Sequence, residues 1–160
     1  MKLYHGSLQI VKEPRILVPS RTLDYGAGFY TTTSPKQAKE WVLRKLAEGE
    51  VGYVNVYEFD EKATAELKRL DFSNPPAEDW VDFVHNNRTK RGFSHSFDLV
   101  YGPVANDRVY AAFALYENGL LNKQELIAEL KTCKLVDQML FHTEASLKTL
   151  SFINATEVRL

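Results

Sequence analysis

Apolar and polar positions sort the chain into short elements of both kinds. Lys2 to His5 reads as a first strand, stopped by Gly6-Ser7. The segment from Ser7 to Ser20 carries Pro14 and Pro19 with mixed polarity and reads as irregular. Phe29 to Thr33 is a β-branched and aromatic run, hence a short strand. Ser34-Pro35 then opens a helix, with Ser34 as N-cap and Pro35 at the first helical position. Ala38, Trp41, Val42 and Leu46 follow at helical spacing. Gly52 to Phe59, with Tyr53, Val54, Val56, Tyr57 and Phe59, is the clearest strand. Lys62 to Leu70 is ambiguous, and Asn74-Pro75-Pro76 breaks the chain.

The second half repeats the alternation. Ala77 to Asn87 predicts a helix with Trp80, Val81, Phe83 and Val84 on one side. Thr89 to Ser96 reads as a basic loop, and Phe97 to Pro103 as a central strand. Asn106-Asp107 caps a helix over Arg108 to Glu117 that ends at Asn118-Gly119, and Asn122 caps another over Lys123 to Lys131. Gln138 to His142 predicts a strand, Glu144 to Leu150 a helical turn, and Phe152 to Leu160 a last strand. The order predicts an α+β fold with a single domain over residues 1–160.

Composition narrows the class. At 160 residues, 44% hydrophobic and 26% charged, the chain is long enough for a proper core. A net charge of −1 advertises neither nucleic acid nor an anionic membrane. The single cysteine, Cys133, makes no internal disulfide and points to a reducing, cytoplasmic setting. The first residues lack a signal-peptide pattern, and no apolar run approaches a membrane span.

The stretch Leu23-Asp24-Tyr25-Gly26-Ala27-Gly28-Phe29-Tyr30-Thr31-Thr32-Thr33 holds the most suggestive chemistry. Two glycines bend the chain into a strand whose Tyr30 and hydroxyls suit a wall for a flat polar ligand. His5, beside a glycine that a ligand can approach, is a candidate donor to a hydroxyl. Trp41, taken singly, reads as core packing. Glu144 reads as a charge at a helix N-terminus or as an acid aimed into a cleft. The four histidines are scattered without metal-ligand spacing, so no metal is expected. Phosphate-binding glycine loops and nucleophile elbows are missing as well.

Taken in order, Tyr4-His5-Gly6-Ser7, Gly26-Ala27-Gly28-Phe29-Tyr30 and the late Glu144 resemble the ADP-ribosyltransferase superfamily, in its His-Tyr-Glu class with diphtheria toxin and the poly-ADP-ribose polymerases. The blocks LYHGS, GAGFYTTTSPKQAKEW, FDLVYGPVAND and DQMLFHTEASLKTLSF are similar to a small bacterial branch catalogued as a domain of unknown function. The resemblance implies a split, mostly antiparallel sheet with peripheral helices and NAD as substrate. By it, His5 bonds a ribose hydroxyl, Gly6 pairs through its backbone with the nicotinamide amide, and Tyr30 stacks on the ring with Trp41 on its other face. Glu144 binds the 2′-hydroxyl of the nicotinamide ribose.

The expected reaction passes through an oxocarbenium-like cation, which a carboxylate stabilises chiefly in the transition state. Loss of Glu144 is then expected to cost roughly 10²–10³-fold in rate. The serine with which the polymerases hold the nicotinamide amide is Ala38 here, leaving Ser7 or Thr32 as substitutes. His142 stands two residues before Glu144, as a general base on the acceptor or as a hydrogen-bonded strand end. Arg15 and Arg21 suit the NAD pyrophosphate or plain solvation. The basic cluster from Asn87 to Arg91 suits a phosphate-bearing acceptor or a solvated loop.

The expected function is mono-ADP-ribosyl transfer to a macromolecular acceptor. Hydrolysis of NAD and turnover-free binding are the alternatives. A small transferase of this kind suggests a toxin or effector with a neutralising antitoxin or immunity partner.

Overall fold

A computed structural model of the chain describes residues 1–18 and 22–160. Among the described residues seven strands form two sheets. The first has the order β1 (Lys2–Ser7), β3 (Gly52–Phe59), β7 (Leu150–Val158), all antiparallel. The second has the order β2 (Phe29–Thr31), β6 (Asp137–Phe141), β5 (Leu99–Pro103), β4 (Arg69–Asp71), with β4 and β5 parallel and the other pairs antiparallel. Five α-helices accompany them among the described residues: α1 (Pro35–Leu43), α2 (Glu78–Thr89), α3 (Asp107–Glu117), α4 (Lys123–Lys131) and α5 (Glu144–Leu147). The fold is α+β with antiparallel pairing dominant. Among the described residues no helix is long and apolar enough to cross a membrane.

The layers follow from which side chains each strand turns to which face. Leu3, Phe29, Tyr57, Phe59, Leu99, Met139 and Phe141 fill the space between the two sheets. On the far side of the first sheet, Ala38, Val42 and Leu46 of the α1 region pack on Val54 and Val158. On the far side of the second, α2, α3 and α4 cover Val100 and Leu140 through Trp80, Val84, Val109, Phe113, Leu126 and Leu130. Tyr25 enters this last cluster from the loop before β2. Its hydroxyl donates to the Pro103 carbonyl at 2.9 Å and accepts from Trp80 Nε1–H at 2.8 Å, which satisfies three buried polar groups at once.

Local chemistry sets the helix starts. Ser34 Oγ accepts from the Gln37 N–H with Pro35 behind it, and Asn122 and Glu125 form a reciprocal capping box. Each such cap contributes about 1 kcal/mol. The ambiguous segment resolves into a 3-10 turn at Glu61–Thr64 and the edge strand β4. Two strand ends differ from expectation. β1 runs on through Gly6 and Ser7, because both keep their pairing with β3. β7 starts at Leu150, opposite Phe59, which shortens α5 to one turn.

Candidate functional site

The two sheets meet at a fork. Tyr4 and Thr32 exchange backbone hydrogen bonds of 2.8 and 2.9 Å, the one bridge between β1 and the end of β2. Continued in register, that pairing would set Gly6 opposite Tyr30. It does not continue. The Tyr30 carbonyl is taken instead by His5 Nδ1 at 2.7 Å. A carbonyl only accepts, so Nδ1 carries the proton and Nε2 is left as an acceptor. Burial lowers the His5 pKa, which keeps the ring neutral, and Phe29 packs on it at 4.3 Å. His5 thus wedges the strands apart and offers a lone pair. The sequence suggested a donor to a hydroxyl; in this tautomer the ring nitrogen left over is an acceptor.

Beyond the wedge opens a cleft of about 330 Å³, lined by His5, Gly6, Tyr30, Thr32, Ala38 and Trp41 among others. Strand alternation turns the Gly6 N–H and C=O the same way as those of Tyr4, away from β3 and toward this cleft. The glycine itself answers a different need. A Cβ at Gly6 would lie 2.4 Å from the Ala38 carbonyl oxygen, so α1 packs where a side chain would be. Tyr30 is held by its hydroxyl, which donates to the Gly26 carbonyl at 2.6 Å and accepts from the Tyr25 N–H at 3.2 Å. Trp41 is 39% exposed, with Lys45 Nζ 5.9 Å from its ring centre, so it lines the cleft rather than filling the core.

Other expected residues fall elsewhere. Ser7 Oγ accepts from the Gln9 N–H and does not line the cleft. The hydroxyl of Thr32 lies at the cleft but is committed: it donates to Asp137 Oδ1 and accepts from the Ser34 N–H. The hydroxyls of Thr31 and Thr33 go to the Met139 carbonyl and to Asp137. The threonine run therefore fastens β2 to β6 instead of facing a ligand. Asp137 also accepts from Tyr101, whose hydroxyl pKa burial and this carboxylate push up to about 12. Arg15 is exposed and outside the cleft lining, and Arg21 lies outside the described residues.

Glu144 lies apart from the cleft. It is the exposed first residue of α5, beside a capping box made by Thr143 and Ser146, and it is not part of the cleft lining. The dipole-stabilised end of a helix is its place. His142 likewise leaves the acceptor question. Its Nδ1–H donates to the Ala27 carbonyl at 2.6 Å, and its ring lies 4.2 Å from that of His95.

The cleft holds polar groups that the sequence did not announce. Gln138, 9% exposed on β6, lies on the face shared by Tyr30 and Leu140, and its amide donates to the Pro103 carbonyl at 3.2 Å. Asp24, the buried acidic side chain of the loop before β2, also lines the cleft. Burial pushes the Asp24 carboxyl above the ordinary range, and the nearby Arg88 charge pulls it part of the way back. Gln37 of α1 supplies a further carboxamide to the cleft. A polar residue ahead of the apolar run Met139-Leu140-Phe141 was the available signal for Gln138.

Among the described residues no group of three or more metal-ligating side chains comes together. No curated protein and no solved structure matches the chain. Its residues 1–152 match the family described as Protein of unknown function (DUF3990), and the chain belongs to that family.

Proposed function

We propose that the cleft binds NAD and that the chain transfers ADP-ribose from it to a macromolecular acceptor, as a divergent member of the ADP-ribosyltransferase superfamily with that superfamily's split-sheet fold. The observation that carries the reading is the fork between β1 and β2. There His5 spends Nδ1–H on the Tyr30 carbonyl and leaves the Gly6 backbone pair turned to the cleft. A carboxamide such as that of nicotinamide is complementary to one N–H and one C=O side by side. Tyr30 and Trp41 offer aromatic faces to the cationic ring of the ground state. His5 Nε2 accepts from a ribose hydroxyl.

With Glu144 outside, the cleft carries its catalytic polarity at Gln138 and Asp24. The carboxamide of Gln138 orients the ribose by hydrogen bonding. In its carboxylate form Asp24 supplies negative charge against the oxocarbenium-like transition state, and the nearby Arg88 favours that form against burial. Departure of nicotinamide leaves a carbon electrophile for the acceptor, or for water in the hydrolytic variant of the same chemistry.

One observation favours a second reading, a domain that binds NAD without turnover: Gln138 is uncharged. Nicotinamide release from NAD separates the two. Wild type is expected to release nicotinamide, with lysate raising the rate if a macromolecule accepts. Tyr30→Ala is expected to lower it about 10-fold or more, the size of one lost aromatic contact to a desolvated cation. Binding of NAD with no release under any condition would establish the binding module, and a folded protein that neither binds nor cleaves NAD would end the NAD reading.

A further inference from the structure

A second cavity, of about 340 Å³, adjoins the cleft and is lined by Thr22, Asp24, Arg88, Thr89, Tyr110 and Glu117. Asp24 and Tyr110 line both spaces. Asp24 therefore stands in the partition between them, within reach of a molecule in either. The cavity's other charges are arranged loosely. Arg88 NH1 is 3.7 Å from Asp24 Oδ1, Arg88 Nε is 3.6 Å from Glu117 Oε1, and His85 Nδ1 is 3.7 Å from the same Glu117 oxygen. Each contact is longer than a hydrogen bond. His85 Nδ1 is buried with no hydrogen-bond partner. Arg88 itself sits over aromatic rings, its Cζ 4.6 Å from the centre of Tyr110 and 5.5 Å from that of Phe113.

The charge balance selects the visitor. Two acidic side chains face one guanidinium in this cavity, a lining that does not suit a diphosphate. The basic cluster at Asn87 to Arg91, which suits a phosphate-bearing acceptor or a solvated loop, has its Arg88 beside two acidic side chains. A planar cation fits: it pairs with carboxylates in a fork and stacks on an aromatic face, and Arg88 already sits over that of Tyr110.

We propose that the second cavity is the acceptor subsite, that it takes the guanidinium of an arginine side chain, and that Asp24 passes the acceptor nitrogen to the NAD cleft. This rests on the NAD reading above. Glu117 holds the cation. A guanidinium nitrogen gives its proton to the Asp24 carboxylate, and the freed lone pair forms the N–C1′ bond. The C1′–nicotinamide bond breaks, and its electron pair stays on the nicotinamide nitrogen, which becomes neutral. The raised proton affinity that burial gives Asp24 suits it to accept that proton.

Agmatine, a free guanidinium, is the probe. It is titrated calorimetrically into the protein without NAD, then mixed with NAD and followed by mass spectrometry for ADP-ribosyl-agmatine. Wild type is expected to bind agmatine and form the product. Glu117→Gln is expected to weaken binding about tenfold or more, as befits one lost charge-assisted hydrogen bond. Trp41→Ala, on the NAD side, is expected to leave agmatine binding unchanged, and thermal melting verifies that each variant folds. Agmatine that fails to bind, or binds wild type and Glu117→Gln equally, overturns the subsite. So does product formed only on a lysine peptide or a nucleic acid. Agmatine binding that depends on Glu117, with no nicotinamide ever released, overturns the transfer reading and with it the acceptor role of the cavity, and leaves a guanidinium-binding site only.

Discussion

The two ends of β6 hold the chain's two rival polar residues, and they live in different surroundings. Gln138, the second residue of the strand, is buried on the wall of the cleft, its amide donating to the Pro103 carbonyl. Glu144 follows the strand's other end in solvent, opening a helix of one turn. Around Gln138 the structure leaves space; around the far end it fastens. There His142 and His95 hold the carbonyls of Ala27 and Tyr25, and Asp98 accepts from both Thr143 Oγ1 and the Lys68 N–H. One end is a site and the other a clasp. A charged residue late in a sequence is an inviting catalyst, but what a side chain can touch is decided by its strand partner.

The contrast is open to breakage. The largest effect is expected at the clasp. Gly28 has φ +144°, and a Cβ there would sit 2.3 Å from the Phe141 carbonyl oxygen. Gly28→Ala should destabilise the fold by about 4 kcal/mol or more, by strain and backbone clash together. Urea unfolding measures it, and a loss under about 1 kcal/mol would mean that β2 and β6 are not locked there.

At the cleft end, Gln138→Leu keeps the volume and removes the carboxamide. Nicotinamide release should fall about 10²-fold, the effect of removing one well-placed polar contact to a transition state. The melting temperature should move little, because Tyr25 still donates to the Pro103 carbonyl. Equal losses in rate and stability would turn Gln138 into a second clasp.

A smaller effect separates the ends by pH. Burial, opposed by the Tyr25 carbonyl and helped by the His142 ring, lowers the pKa of His95 in the folded state below its ordinary 6.5. The unfolded chain then binds the proton more readily. Stability is full above pH 6.5 and is lost as pH falls from there toward the lowered folded value. His5 acts in the same sense, and Asp24, with its raised pKa, in the opposite one. Between pH 7.5 and about 5.5, wild type should therefore lose more unfolding free energy than His95→Gln. Parallel pH curves for the two would exclude His95 as the source.

The smallest change is expected where the sequence promised a large one. Glu144→Gln should leave nicotinamide release within about twofold of wild type, as for an exposed residue away from the site. A collapse of activity in this variant would restore the glutamate to the cleft.

Much of the fold was legible because short-range chemistry fixes it. Ser34-Pro35, Asn106 and Asn122 cap the helices they were expected to cap, and Gly52 to Phe59 and Phe97 to Pro103 fall on β3 and β5 within two residues. The blocks around LYHGS and GAGFY were enough to point to a family of unknown function. His5, Gly6, Tyr30 and Trp41 do converge on one cleft. What stayed hidden depends on partners far along the chain. Thr31 to Thr33 looked like free hydroxyls because their acceptors, Asp137 and Met139, come more than a hundred residues later. Gln138 was passed over because its face is set by the register of Phe29–Thr31 against Met139–Phe141, which no local pattern displays. Asp24 carried no role in the sequence because the side chain it meets, Arg88, comes far later in the chain.

The bridge between Tyr4 and Thr32 gives the fork a clock. The amides of Leu3 and His5 point into the β1–β3 ladder, whereas those of Tyr4 and Thr32 are protected only by each other's strand. Hydrogen–deuterium exchange at these two amides times the parting of the two sheets, separately from the unfolding of either. A ligand spanning the cleft registers as a slowing confined to that pair, which makes two backbone protons the most economical reporters of occupancy in the molecule.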